Sequence, residues 1–425
     1  MTANYSEKNK ELAKFSIEKR LTEGTQPNVQ STLDLKKWKA NIWKSYLFNF
    51  LMGLHFISGV LLPFFLNWGN LTFVGVMLLQ SYFTMMVLVF EIPCGAIADY
   101  ISRKFSLILG ALITAFAALI YGSYPNIIIF AIGETLWAFA GALISGTDQA
   151  FIYDTLRILE RENDISRVVA RKRSFMLIGI GISAPIGSMI GAFLTLNLVM
   201  TFMFFPFFIA TLISLTLKEP NHALEKVESE KHITVIKSGF KELTHNKILR
   251  LLAFEMITTE SIVFFLIWTY QIYLGVLNFP IIFFGFIGAS MTLIQIVFFN
   301  IIPKLENRMS NKRRFLRLYT LVPGIGFILL ALIYYLPISI PLILAIIGFG
   351  FSRRIIFIKS INKQIETQNR ATVLSTINMI SSLIRMILYP FIGYFVMWNL
   401  SCTFILLGSG ILVIALLSKV KSEYL

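Results

Sequence analysis

Read from its N-terminus, the chain alternates long apolar runs with short polar interruptions and lacks the two-residue alternation of a half-buried strand. The apolar segments fall at about 45–66, 72–97, 105–122, 127–153, 174–196, 199–217, 249–276, 281–302, 315–336, 338–358, 372–396 and 400–418. Each approaches the roughly 20 residues an α-helix needs to cross about 30 Å of hydrocarbon. Twelve membrane-spanning helices are therefore predicted, and a membrane β-barrel, which needs short alternating strands, is excluded.

The interruptions come in two kinds. Those after spans 1, 3, 5, 7, 9 and 11 are short turns without Lys or Arg, such as Asn67-Trp68-Gly69-Asn70, Tyr124-Pro125-Asn126 and Asn278-Phe279-Pro280. The opposite ends collect 37 of the 38 Lys and Arg residues, and the exception is Arg385 inside span 11. The positive-inside rule then puts both termini in the cytoplasm, with the plasma membrane as the expected location.

Residues 218–248 form the longest internal connection and separate one six-span bundle (45–217) from another (249–418), flanked by polar tails 1–44 and 419–425. The halves look like repeats. Span 2 runs into Asp99 and then Arg103-Lys104-Phe105, while span 8 runs into Glu306 and then Arg313-Arg314-Phe315. Asp148 and Asp154 in span 4 have Arg353 and Lys359 as counterparts in span 10, at the same spacing. The expected fold class is an all-α polytopic membrane protein built from two pseudo-symmetric six-helix bundles. Such repeats are common in secondary transporters, whose substrate sites lie near mid-membrane between them.

Composition sharpens this reading. Apolar residues make up 56% of the chain and charged residues 14%, which excludes a soluble enzyme or a disulfide-stapled secreted domain. The net charge of +15 does not imply a nucleic-acid partner, because the positive residues line one side of a membrane. Cys94 and Cys402 fall near opposite ends of their spans, farther apart than the ~7 Å a disulfide tolerates, so free thiols are expected. The tail 1–44 has no apolar stretch and cleavage site of the signal-peptide kind.

The stretch Gly95-Ala96-Ile97-Ala98-Asp99-Tyr100-Ile101-Ser102-Arg103-Lys104 resembles the signature loop of the major facilitator superfamily. Gly95, Asp99, Arg103 and Lys104 match; Tyr100 and Ser102 stand where Arg and Gly are expected. Glu91-Ile92-Pro93, Ser145-Gly146-Thr147 through Tyr153-Asp154, and the run from Arg370 to Ser375 are similar to a prokaryotic efflux-type branch. The resemblance covers residues 45–418. It implies a conformational latch at the cytoplasmic face, with Gly95 allowing close approach, Asp99 capping span 11 near Ala371, and Arg103 pairing with Asp154 beside Lys104. The alternative is a juxtamembrane charge cluster that only fixes topology. In span 5, Gly179, Gly181, Ala184-Pro185, Gly187 and Gly191 are similar to an antiporter motif, and equally suit close helix packing.

Charge inside the membrane is costly and marks candidate sites. At 1.5 Å rise per residue, Glu260 lies about 16 Å along span 7, His55 about 15 Å along span 1, and Glu134 about 10 Å from the end of span 4. The resemblance implies that spans 1, 4, 7 and 10 line a central cavity. A carboxyl group held out of water binds and releases protons nearer cellular pH than an exposed one. Glu134 and Glu260 are thus candidate proton sites, with His55 as a relay and Arg385 as a counter-charge; Glu91 and Glu255, nearer the basic ends, rank second. The alternative is that each is a fixed structural partner. Trp137, Phe139, Phe264, Trp268, Tyr270 and Gln271 flank these positions and are the candidate substrate lining.

No phosphate-binding loop, metal-ligand spacing or cofactor motif is present, and enzyme activity is not expected. The expected partners are a small-molecule substrate, protons and the lipid bilayer, for a monomer. The leading expectation is a proton-coupled antiporter that exports hydrophobic or cationic molecules. Two alternatives are a proton-coupled importer of a sugar, peptide or organic anion, and a non-transporting receptor on the same scaffold.

Overall fold

The computed structural model describes residues 29–220, 230–309, 311–365 and 370–425. These residues form α-helices joined by short turns and no strand. Eleven of the helices are long and apolar enough to cross a membrane, beginning with span 2 (Phe73–Tyr100) and ending with span 12 (Leu400–Leu417). Polar residues in the turns fix where the spans begin. Asn126, Asn246, Asn311 and Asn399 accept from the first free backbone N–H groups of spans 4, 7, 9 and 12, and Thr72 and Ser102 do the same for spans 2 and 3.

Span 1 is the exception to a row of continuous helices. Its helix Val29–Met52 stops short, and the chain continues through a tight turn at Phe56–Gly59, a single turn at Leu61–Pro63 and a wide turn at Phe64–Trp68. Gly53, Gly59 and Pro63 lie in this segment, and Pro63 has no N–H to give. Hydrocarbon offers no water to the freed backbone groups, so each needs a protein partner. Ser58 donates to the His55 carbonyl at 2.7 Å, and Gln271 of span 7 serves both Leu62 N–H (2.9 Å) and the Ser58 carbonyl (3.2 Å).

Glycines let neighbouring helices approach this broken segment. A Cβ on Gly179 of span 5 would lie 2.5 Å from the Phe50 carbonyl oxygen, and one on Gly187 would strike the Phe56 carbonyl. Gly285 of span 8 (Phe284–Arg308) sits against the backbone of Ala184 in span 5 (Ile165–Phe193) in the same way. These glycines therefore have a packing role, whereas a Cβ on Gly181 would meet nothing within 4 Å.

The twelve spans form two six-helix bundles that meet along spans 2 and 11 and along spans 5 and 8. Among the described residues, the hydrogen bonds between the bundles lie in the half with uncharged connections. There Ser81 donates to the Met386 carbonyl at 2.8 Å and Ser188 to the Ile282 carbonyl at 2.7 Å. One apolar core in this half draws Val60, Phe65 and Met77 from the first bundle and Val263, Trp268 and Tyr389 from the second. In the basic half the cores are separate. Leu249, Phe315 and Phe357 belong to the second bundle alone, and Phe48, Leu107 and Phe151 to the first. Among the described residues, the bundles thus share a core at the uncharged end and have separate cores at the basic end. An added Cβ on Gly95 would find no atom within 4 Å.

Candidate functional site between the bundles

Glu134 lies on span 4 (Ile127–Ile158), 5% exposed, where the bundles begin to part. Its Oε1 accepts from Gln80 Nε2 of span 2 at 2.7 Å, and the Tyr121 hydroxyl of span 3 also hydrogen bonds to it. Both partners are neutral donors, and no cation among the described residues forms an ion pair with it. A carboxyl group held this way gains or loses a proton without breaking an ion pair. Beside it opens a cavity of about 250 Å³ lined by His55, Gln80, Tyr121, Trp137 and Trp268 among others. His55 stands in the break of span 1, with its ring edge-on to Trp137 and Phe207, centroids 5.6 Å apart in each case.

The second cluster is built from span 7 (Lys247–Val276), span 10 (Leu336–Lys363) and span 11 (Arg370–Trp398). Glu260, Phe264 and Trp268 recur every four residues and so share one face of span 7. Gln271 continues that face, and both Trp268 and Gln271 touch the other bundle. Glu260 is not free. Arg354 of span 10 reaches both its oxygens at 2.7 and 2.8 Å and donates to Asn378 of span 11 at 2.8 Å. The counter-charge of Glu260 is therefore Arg354 and not the expected Arg385. Arg385 donates instead to Ser381 at 2.7 Å and Ser382 at 3.2 Å, with its guanidinium 5.1 Å from the Phe264 ring centroid. Tyr389, one turn further along, joins the clusters through its ring contacts with Phe264 and Trp268.

Other expected residues fall elsewhere. Of the aromatic candidates, Trp137 and Trp268 line the cavity, Phe139 packs on Phe90 away from it, and buried Tyr270 takes a hydrogen bond from Gln271. Gln271 itself is 4% exposed and occupied in bridging the bundles. Glu91 is exposed, and Glu255 is buried among Arg353, Arg313 and Ser418 inside the second bundle.

At the basic end Arg103 pairs with Asp154 and donates to the Ala150 carbonyl, while the Lys104 backbone N–H binds Glu219 at 2.8 Å. Glu306 and Lys359 pair at 3.0 Å in the second bundle. Each of these two ion pairs lies within one bundle. The Asp99 and Ala371 side chains fall outside the described residues, and with them the expected cap of span 11. Glu219, Gln80, Tyr121, Arg354, Asn378 and Tyr389 escaped the sequence reading. Only the pairing of Arg385 with Ser381, four residues earlier on one helix face, carried a signal.

A family model described as the Major Facilitator Superfamily matches residues 45–389. The chain belongs to this superfamily. No curated protein matches the sequence. Among solved structures, a mutant form of the nucleoside transporter NupG superposes with a TM-score of 0.76 at 15% identity, over 89% of this chain and 98% of its own. The D-xylose–proton symporter gives 0.68 at 11% identity, over 90% and 98%. A bacterial homologue of the human lysosomal transporter Spinster, in an inward-facing and unoccupied conformation, gives 0.66 at 14% identity over 94% and 97%. At these identities the likeness concerns the fold. Membership of the superfamily makes this chain a transporter.

Proposed function

We propose that the protein is a proton-coupled importer of a small polar solute in the plasma membrane, with its basic end in the cytoplasm and its bundles here in the inward-facing arrangement. The observation that carries this reading is Glu134, an ionisable group held, among the described residues, by the neutral donors Gln80 and Tyr121 beside a cavity at the meeting of the bundles. Proton binding there changes the local charge without dismantling a salt bridge, which is what coupling to a solute requires. Glu260 is tied to Arg354 and acts as part of the binding surface. Alternating access follows from the two-bundle design: rocking closes the basic end and opens the uncharged one.

Import of a polar solute has better support than export of greasy cations. Glu260, Arg354, Asn378 and Arg385 form a charged, hydrogen-bonding cluster on spans 7, 10 and 11, which suits a polar solute better than a greasy cation. The small residues of span 5, similar to an antiporter motif, have a sufficient cause in packing against span 1. Two of the fold relatives are named for a nucleoside and for D-xylose with protons, which are polar and not greasy cargo. Proteoliposomes holding a pH-sensitive dye test the direction of coupling. Internal acidification when a polar solute is added outside is the expected result. Internal alkalinisation on adding lipophilic cations, with no response to polar solutes, would restore the efflux reading.

A further inference from the structure

Among the described residues around Glu134 and Glu260, not every charge is paired. Glu260 and Arg354 neutralise each other at 2.7 Å, which leaves Arg385 on one side and Glu134 on the other. Arg385 sits at the middle of span 11, and among the described residues it forms no ion pair. Its two hydrogen bonds go to Ser381 and Ser382, whose hydroxyls orient the guanidinium without neutralising it. An Arg side chain has five N–H donors, so capacity remains for a further acceptor. The Phe264 ring centroid lies 5.1 Å from its guanidinium carbon, and a guanidinium can give two parallel bonds to a carboxylate.

We propose that Arg385 receives the carboxylate of a small monoanionic solute, with Asn378 and the Glu260–Arg354 pair forming the rest of that subsite and protonation of Glu134 setting the net charge that admits the anion. This rests on the reading of the protein as a proton-coupled importer. Charge arithmetic selects the class. With Glu134 protonated the site carries one positive charge from Arg385, which a monoanion balances. A phosphate dianion overshoots it, and a cationic solute adds to it. With Glu134 ionised the site is already neutral and the anion loses its partner, so proton release and solute release go together. The groups facing Glu134 from the packed helices are His55 of span 1, Gln80 of span 2, Tyr121 of span 3, Trp268 of span 7 and Tyr389 of span 11. None is a carboxylate, and none replaces Glu134 as an acidic proton carrier.

One proton carried with one monoanion moves no net charge, and this gives a readout beyond loss of transport. The full chain in proteoliposomes is offered labelled gluconate and galacturonate as polar monocarboxylates, xylose and uridine as neutral probes, and tetraphenylphosphonium as a cation. Protein-free liposomes supply the leak. The expected result is that a monocarboxylate accumulates under an acid-outside gradient and is indifferent to an inside-negative potassium diffusion potential. Arg385→Gln should raise its KM by about tenfold to a hundredfold, the equivalent of a lost charge-assisted bond, with Arg385→Lys recovering part of the loss. Melting temperature and size-exclusion profile identify a variant that fails to fold, and the potential test on the unaltered protein needs no variant. A neutral probe that accumulates under both gradients, with monocarboxylates ignored, overturns the anion proposal and leaves proton coupling standing. If every carboxylate and neutral probe ignores the pH gradient, the proton-coupled reading falls and the anion proposal with it.

Discussion

Gln271 of span 7 accepts a hydrogen bond from the backbone N–H of Leu62 at 2.9 Å and donates to the Ser58 carbonyl at 3.2 Å, so one side chain of the second bundle completes the broken first span of the other. The clasp exists only while the bundles meet at the uncharged end. Opening that end leaves Leu62 N–H and Ser58 C=O in need of new partners, which water in the opened cavity supplies.

Gln271→Leu keeps the volume and removes both bonds. At a net ~1 kcal/mol per hydrogen bond, losing two should lower the population closed at the uncharged end about 30-fold relative to the opposite state. Distances between spin labels at the uncharged ends of spans 1 and 7 report it. An unchanged distribution would mean that the clasp contributes nothing to the choice of state.

Close packing of span 5 makes a paired prediction. Gly187→Ala should destabilise the protein by about 1 to 3 kcal/mol, because its Cβ meets the Phe56 carbonyl, while Gly181→Ala should be silent. Melting temperatures of the two purified variants decide it. Equal effects would contradict the assigned geometry.

The Glu260–Arg354 pair is partly accessible, with side-chain exposures of 15% and 33%. Glu260→Gln should therefore cost about 1 to 3 kcal/mol, between the limits for exposed and buried pairs. Glu260→Gln combined with Arg354→Gln should recover part of that stability, since no charge is left alone. A double variant as unstable as the sum of the singles would show that the two side chains act independently.

Glu219 joins the connection after span 6 to the start of span 3, accepting from Ser102 Oγ at 2.7 Å and from the backbone N–H groups of Arg103 and Lys104 at 3.1 and 2.8 Å. Glu219→Ala should cost about 1 to 2 kcal/mol through loss of this cap. Faster hydrogen exchange confined to the first turn of span 3 is the expected signature, and unchanged exchange there would remove the capping role.

Eleven of the twelve expected spans and the two-bundle division were legible because hydrocarbon thickness and loop charge act on long stretches of sequence, where local errors average out. The break in span 1 was not. Gly53, Gly59 and Pro63 mark it only once Gln271, more than 200 positions away, is known to satisfy the freed backbone. The site divides the same way. Depth along a helix pointed to Glu134, Glu260, His55 and Arg385, but partner choice depends on rotation about each helix axis and on packing between helices. Hence Arg354, which looked like one more positive residue at the basic end of span 10, turned out to hold Glu260. Gln80 and Tyr121 lie in different spans from Glu134, and no sequence spacing joins them to it.

The central claim is that Glu134 carries the coupled proton, and Glu134→Gln in proteoliposomes tests it most directly. The amide keeps the shape and some of the hydrogen bonding but binds no proton at cellular pH. Accumulation driven by a pH gradient should disappear, while exchange of labelled for unlabelled solute at equal pH persists. Gradient-driven accumulation at the level of the unaltered protein would contradict the account.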